Sequence, residues 1–198
     1  GPCISCEAAY GLSETHTMDT GMPFDAIRWG TQGKPMPGVS IRIVDPDSGT
    51  ERVPGDMGEI TVHSPGNFKG YWNKPEATAA TLKSGWVWTG DMGKKDGDGY
   101  LSFIGRTKEM IKVSGYSVFP EEVETILIKH PAVAQAAVIA EPDPEKGEVV
   151  KAFIVRKISA WSREHRAKYK APRTVRFIDA LPATGSGKVL RRLLKEQP

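Results

Sequence analysis

Cysteine is almost absent: Cys3 and Cys6 are the only two in 198 residues. That excludes a disulfide scaffold and fits a reducing compartment, so a cytoplasmic location is expected. Long apolar runs are missing as well. Nothing approaches the roughly 18 residues of a membrane span, and no transmembrane segment is expected. The chain opens on Gly1 rather than Met, with no basic-then-apolar leader, so no signal peptide is expected. The Cys3-Ile4-Ser5-Cys6 pair lacks the two further ligands of a zinc site, because His16 and His63 stand at no zinc-finger spacing. It also lacks a thioredoxin-like βαβ setting, and buried strand cysteines are the simpler reading. Repeats and low-complexity tracts are absent.

Glycine and proline are plentiful, at 21 and 15, which predicts many turns and excludes a plain helical bundle. A hydrophobic content of 39% and a charged content of 26% suit one large folded domain or two small ones. The net charge of +3 hides a division. Residues 1–104 carry 9 Lys and Arg against 13 Asp and Glu; residues 105–198 carry 18 against 11. Such a split suggests two units. The basic second unit could meet nucleic acid, a phosphate-bearing small molecule or its own acidic neighbour, or could simply carry a solvated basic face.

The first half reads as strands and turns. Val39–Asp45 alternates as a half-buried strand, a turn-rich stretch follows, and Glu59–His63 returns, so a hairpin with a long loop is expected. Pro75–Leu82 is a short helix with proline in its first turn. Asp96-Gly97-Asp98-Gly99 is a hairpin turn between Met92–Lys94 and Tyr100–Ile104. Residues 1–104 are therefore expected to be mostly β, a barrel or a sandwich edge. In the second half Pro120 starts a helix with Glu121, Glu122 and Glu124 early and Lys129 and His130 late, the polarity the helix dipole favours. Val123, Ile126, Leu127 and His130 share one face. Val133–Ala140, Lys151–Arg156 and Thr174–Ile178 read as strands, and Trp161–Lys168 and Lys188–Lys195 as helices. The fold class is α+β, with a boundary near Gly105–Lys108 separating a β-rich 1–105 from a small α+β unit over 106–198.

Four strings carry chemistry. Tyr10-Gly11-Leu12-Ser13-Glu14-Thr15 sets an aromatic face, two hydroxyls and a carboxylate on a tight loop, able to stack a base, bind phosphate oxygens and hold a divalent cation, or to be a surface turn. Asp91, after Thr89-Gly90 at a strand end, has the acceptors for a ribose diol, though an ordinary turn Asp reads the same. Gly105–Tyr116 holds Arg106, Lys108 and Lys112 with Gly105 and Gly115, cations that could close on an anion or line an edge hairpin. Thr184-Gly185-Ser186-Gly187-Lys188 fails the phosphate-loop template, because Pro182 stands where its first glycine belongs and Val189 where its last hydroxyl belongs. What remains is a flexible loop presenting one lysine, or a linker. Val189–Leu194 is amphipathic and basic, but no aromatic stacking set supports a nucleic-acid partner.

In this order, and with Gly70-Tyr71-Trp72-Asn73-Lys74-Pro75-Glu76-Ala77-Thr78 and Tyr169-Lys170-Ala171-Pro172-Arg173 between them, these strings resemble the adenylate-forming superfamily, and within it the bacterial AMP-forming fatty-acyl-CoA synthetases. The resemblance implies the β-rich end of a large domain followed by a small mobile domain. It implies two steps: a carboxylate attacks the α-phosphate of ATP to give acyl-AMP, and then CoA takes the acyl group. Carried over by residue, Tyr10 would stack on adenine, Gly11 would belong to the same nucleotide-binding loop, Ser13 would contact the α-phosphate and Glu14 would help hold Mg²⁺. Asp91 would bind the ribose hydroxyls beside Phe103, and Arg106 the ribose or phosphate region. Lys108 would be the hinge, Ser114, Gly115 and Tyr116 would line the pantetheine path, and Lys188 would be the adenylation lysine. The family's Ser/Thr/Gly-rich phosphate loop and most of its acyl pocket are not among these residues. The resemblance thus implies the last part of an enzyme, inactive alone, whose partners are ATP, CoA, a carboxylate and its own N-terminal part. The stretch Lys157–Trp161 is shorter than the family's usual connection. Rival expectations are an aryl- or amino-acid-activating enzyme and a non-catalytic remnant acting as a binding module.

Overall fold

The computed structural model describes residues 8–16, 18–156, 172, 174–185 and 188–195. Cys3, Cys6 and the helix expected over Trp161–Lys168 lie outside them. The chain divides into two compact units, Gly1–Thr107 and Lys108–Pro198.

In the first unit, strand β3 (Ser40–Val44) buries Ile41, Ile43 and Val44 and exposes Ser40 and Arg42, the period-2 pattern of a strand with one solvated face. It pairs antiparallel with β4 (Gly58–His63), from Ser40↔His63 to Val44↔Glu59. The loop between them is pinned at its start, where the Asp45 carboxylate accepts from the Asp47 and Ser48 amides. A seven-residue helix, α1 (Pro75–Thr81), leads into β5 (Leu82–Lys83) and the long β6 (Trp86–Lys95). Asp96 closes the next turn by accepting from the Asp98 and Tyr100 amides, and β7 (Leu101–Arg106) returns along β6. The strand order is β3-β4-β6-β5 with β7 also on β6, an open antiparallel sheet where a barrel or sandwich edge was expected. Two short strands, β1 (Thr20–Gly21) and β2 (Lys34–Pro35), form a separate ribbon. The core gathers Ile41, Ile43, Ile60, Val62 and Leu101 with Tyr10. Each fully buried aliphatic side chain contributes about 1.5–3 kcal/mol.

In the second unit, β8 (Ile111–Val113) and β9 (Tyr116–Val118) form a tight hairpin. Its turn residues Ser114 and Gly115 have φ of 49° and 85°, the left-handed pair of a two-residue hairpin turn. Helix α2 (Pro120–Leu127) starts with proline in its first turn and the Phe119 amide donating to Glu122 at 3.2 Å. It ends at Leu127, and Lys129 and His130 lie in the turns beyond, so the helix is shorter than the dipole pattern suggested. Its inward face is Pro120, Val123 and Leu127, whereas Ile126 is exposed. Strands β10 (Val133–Asp143) and β11 (Gly147–Arg156) form a long antiparallel pair, with β12 (Thr174–Phe177) parallel to β11. Their apolar residues serve two cores. Ala136, Val138, Ala152 and Ile154 face α2, while Ala137, Ile139 and Phe153 meet Leu194 of the short α3 (Arg191–Lys195). Both faces of this pair are covered, which explains the near-continuous apolar run through β10.

Gly115 is expected, from the resemblance, to line the pantetheine path. A Cβ there would meet nothing within 4 Å, so within this unit its positive φ is what requires glycine. Gly115→Ala is expected to destabilise the second unit by about 1–2 kcal/mol through left-handed strain alone. Urea unfolding followed by hydrogen exchange of β8–β11 checks this, and an unchanged midpoint would contradict it.

Candidate active site

Strand β6 carries the first feature. Its register against β4 is Glu59↔Met92 and then Thr61↔Trp88, so Thr89, Gly90 and Asp91 together oppose Ile60. Such a bulge re-aims side chains. Gly90 sits at φ 70°, and local side chains replace the lost ladder bonds. The Thr89 hydroxyl donates to the Ile60 carbonyl at 2.7 Å, Glu59 accepts from the Gly90 amide at 2.9 Å, and Thr89 accepts from the Asp91 amide at 3.0 Å. Asp91 therefore sits mid-strand on a bulge, and the expected strand end lies elsewhere. Burial holds the Glu59 carboxyl above the usual carboxylate range.

Asp91 is 4% exposed. One of its oxygens accepts from the Tyr10 hydroxyl at 2.8 Å, and the other lies 3.2 Å from Arg106 Nε at the end of β7. The Tyr10 ring stacks on Phe103 with centroids 6.4 Å apart. Four of the sequence-nominated residues thus meet at one point of the first unit: Tyr10, Asp91, Phe103 and Arg106. Burial, and next the Asp91 charge, push the Tyr10 phenol far above its ordinary value, so it remains a donor. Tyr10 is itself 7% exposed and part of the core, which leaves little open ring for a base. Its hydroxyl is spent on the Asp91 carboxylate. Tyr10→Phe would leave a buried carboxylate oxygen short of a donor, at a cost of about 1–3 kcal/mol. Thermal unfolding of the variant measures this, and an unshifted transition would contradict the geometry.

The loop after Tyr10 is tied down from below. The Asp19 and Thr20 amides donate to the Tyr10 carbonyl at 2.8 and 3.0 Å, and the Thr20 hydroxyl accepts from the Tyr10 amide at 2.9 Å. Ser13–Thr15 makes one tight 3₁₀ turn, with Thr15 hydrogen-bonded to buried Asp19. Burial raises the Asp19 carboxyl above its usual value. Gly11 and Ser13 are exposed on the turn. Glu14 accepts from the Tyr71 hydroxyl at 2.6 Å, and its carbonyl accepts from the Phe68 amide at 2.7 Å. That bond to Glu14 raises the Tyr71 phenol. Asp19, Thr89 and Tyr71 escaped sequence reasoning. The signal available for Tyr71 was its place in the Gly70–Thr78 string.

The second unit holds the remaining nominated residues. Lys108 is exposed in the single turn Thr107–Glu109. Ser114, Gly115 and Tyr116 form the exposed tip of the β8–β9 hairpin, with the Ser114 amide donating to the Lys146 carbonyl at 3.1 Å. Lys188 is exposed at the end of a loop closed by the Ala183↔Val189 bridge. The Thr184 amide donates to the Lys188 carbonyl at 2.9 Å, and the Lys188 amide to the Thr184 hydroxyl at 3.2 Å. The loop therefore has a built base, more than a linker needs. Among the described residues, no group of three or more His, Cys, Asp and Glu could hold a metal, and no helix is long and apolar enough to cross a membrane.

The chain is similar to known enzymes along both units. A family model described as AMP-binding enzyme matches residues 1–72, and one described as AMP-binding enzyme C-terminal domain matches residues 122–188. A long-chain-fatty-acid–CoA ligase of Yersinia pestis is 39% identical over 197 residues, covering 95% of this chain and 35% of the ligase. A feruloyl-CoA synthase of an Amycolatopsis species is 44% identical over 175 residues, 84% of this chain and 35% of that enzyme. The chain thus spans about a third of the length of the curated relatives it matches. Among solved structures, o-succinylbenzoate CoA synthetase from Bacillus subtilis, in complex with an acyl-adenylate intermediate, superposes with a TM-score of 0.88 at 33% identity, covering 96% of this chain and 41% of that one. With both family models matched in chain order and an α+β fold shared with those structures, the chain belongs to the adenylate-forming superfamily of AMP-binding enzymes.

Proposed function

We propose that this chain is the nucleotide-side and lysine-bearing part of an AMP-forming acyl-CoA synthetase acting on a fatty acid. The observation that carries the reading is the buried Asp91 carboxylate, gripped by Tyr10 on one oxygen and Arg106 on the other. Each oxygen keeps acceptor capacity, so the pair suits the two hydroxyls of a ribose. Arg106, half exposed, covers the carboxylate and would turn to the ribose or phosphate when a nucleotide enters. Phe103 would stand beside the nucleoside. Tyr10 would lend adenine whatever ring edge its packing leaves. Gly11 and Ser13, exposed on the turn, would meet the α-phosphate.

Glu14 is a hard oxygen donor on an anchored turn, and Mg²⁺ typically takes one or two carboxylates with phosphate oxygens and water completing its shell. The residues present fit that ion, which would offset phosphate charge. In the second unit, Lys108 would serve as hinge. Lys188 would meet the negative charge that develops between carboxylate and α-phosphate, and the Ser114–Tyr116 tip would line the path of the CoA thiol. The acyl-adenylate held by the Bacillus subtilis neighbour is the intermediate this division of labour requires. A second reading, an aryl-acid substrate, is favoured by the 44% identity to feruloyl-CoA synthase.

The test is a chimera in which this chain replaces the matching part of the Yersinia pestis ligase. It is expected to form acyl-CoA from a fatty acid, ATP and CoA, releasing AMP. The 198-residue chain alone, which contains no Ser/Thr/Gly-rich phosphate loop ending in Lys-Gly, is expected to give no carboxylate-dependent ATP–pyrophosphate exchange. Exchange by the chain alone, lost in Lys188→Ala, would overturn the division proposed here.

A further inference from the structure

Arg191 opens α3, three residues after Lys188, and its guanidinium gathers carboxylates from two other elements. One nitrogen donates to Glu109 at 2.8 Å; the other donates to Glu124 at 2.9 Å and to Glu121 at 3.2 Å. The amphipathic basic run Val189–Leu194 thus turns one of its cations inward, where the Arg191 side chain is 22% exposed. A five-residue helix cannot sustain itself and needs tertiary anchors. Here there are two: Leu194, fully buried against Ala137, Ile139 and Phe153, and the Arg191 cluster.

The cluster has a definite reach. Glu109 lies in the turn at the start of the second unit, beside Lys108. Glu124 lies on α2 and also accepts from the Val138 amide at 2.8 Å, which ties the group to β10. A planar fork can serve three carboxylates at once, and an ammonium cannot reproduce that geometry. The cluster also has little slack. Glu121 Oε2 and Arg191 Nε are both buried without a hydrogen-bond partner, so the contacts that do exist carry the arrangement.

We infer that Arg191 is a positioning residue, a latch that couples the Lys108–Glu109 turn to the Lys188-bearing end of the unit, so that the two are held or released together. The consequence for adenylation rests on the reading of Lys188 given above; the latch itself is a property of the second unit and is testable without substrate.

The experiment is amide hydrogen exchange on the 198-residue chain, comparing the native sequence with Glu109→Gln, Arg191→Lys and Arg191→Met. Glu109→Gln removes a charge and almost no volume. It is expected to speed exchange across Val189–Lys195 by about tenfold, the effect of turning one charge-assisted hydrogen bond into a neutral one, while β10 and β11 keep native rates. Arg191→Lys should do the same, because a point charge does not restore the fork. Acceleration confined to the neighbourhood of residue 109, or spread evenly over the whole unit, overturns the latch. Should the Arg191 variants unfold the unit, Glu109→Gln alone decides. If the coupling is seen while Lys188→Ala leaves adenylation intact in the chimera, the latch stands and the role given to Lys188 falls.

Discussion

Lys188→Ala in the chimera is expected to lower carboxylate-dependent ATP–pyrophosphate exchange by about 100–1000-fold, the usual effect of deleting one preorganised contact to charge that develops in a transition state. Two anions meet in that step, the carboxylate and the α-phosphate, and a cation reaching both is worth most at the moment of attack. The lysine stands on an exposed loop whose base is fixed by the Ala183↔Val189 bridge and the Thr184 bonds, so its removal should leave the fold intact. Circular dichroism and the unfolding midpoint of the variant check that. A variant that remains folded and exchanges at the native rate would remove Lys188 from the reaction.

Asp91→Ala should weaken nucleotide binding almost as severely. Hydrogen bonds to an ionised acceptor contribute about 1.5–3 kcal/mol each, so losing two to a ribose diol predicts an AMP affinity lower by about 100-fold or more. The variant should also lose stability, because the buried Tyr10 hydroxyl is left without its acceptor. A stability defect alone does not separate the two effects, but a ligand comparison does. The native chimera should prefer AMP strongly over 2′,3′-dideoxy-AMP, whereas the Ala variant should bind both equally weakly. Unchanged discrimination would mean that the ribose lies elsewhere.

The strands of the first unit and the start of α2 were legible because their signal is local. Alternation in Ser40–Val44, the Asp96–Gly99 turn and the proline at the start of α2 each need only a few neighbouring residues to declare themselves. The candidate site was legible as residue types and not as geometry. Tyr10 and Asp91 are 81 positions apart, and no periodicity announces that a phenol will turn into the core to hold a carboxylate. The bulge that aims Asp91 depends on Gly90 adopting a left-handed φ and on Glu59 and Thr89 replacing ladder bonds, a set assembled from two strands. Arg191 was hidden for a related reason. In sequence it is one of several cations on a basic helix, and only the packing of Leu194 beneath α3 decides that Arg191 faces Glu109 and Glu124 while Arg192 faces solvent. Ile126 fits the inward spacing of α2 yet stays exposed, because the buried stripe follows Pro120, Val123 and Leu127.

Two groups of this chain are proposed to serve two separable steps, and the two half-reactions measured on Lys188→Ala and Gly115→Leu separate them. Each folded variant, in the chimera, is assayed for acyl-AMP formation and, with acyl-AMP supplied, for transfer to CoA. A crossed result is expected: Lys188→Ala fails to make acyl-AMP but still converts supplied acyl-AMP to acyl-CoA. Gly115→Leu makes acyl-AMP and stalls before the thioester, because its side chain stands at the hairpin tip proposed to pass the thiol. Equal loss of both half-reactions in both folded variants would contradict it.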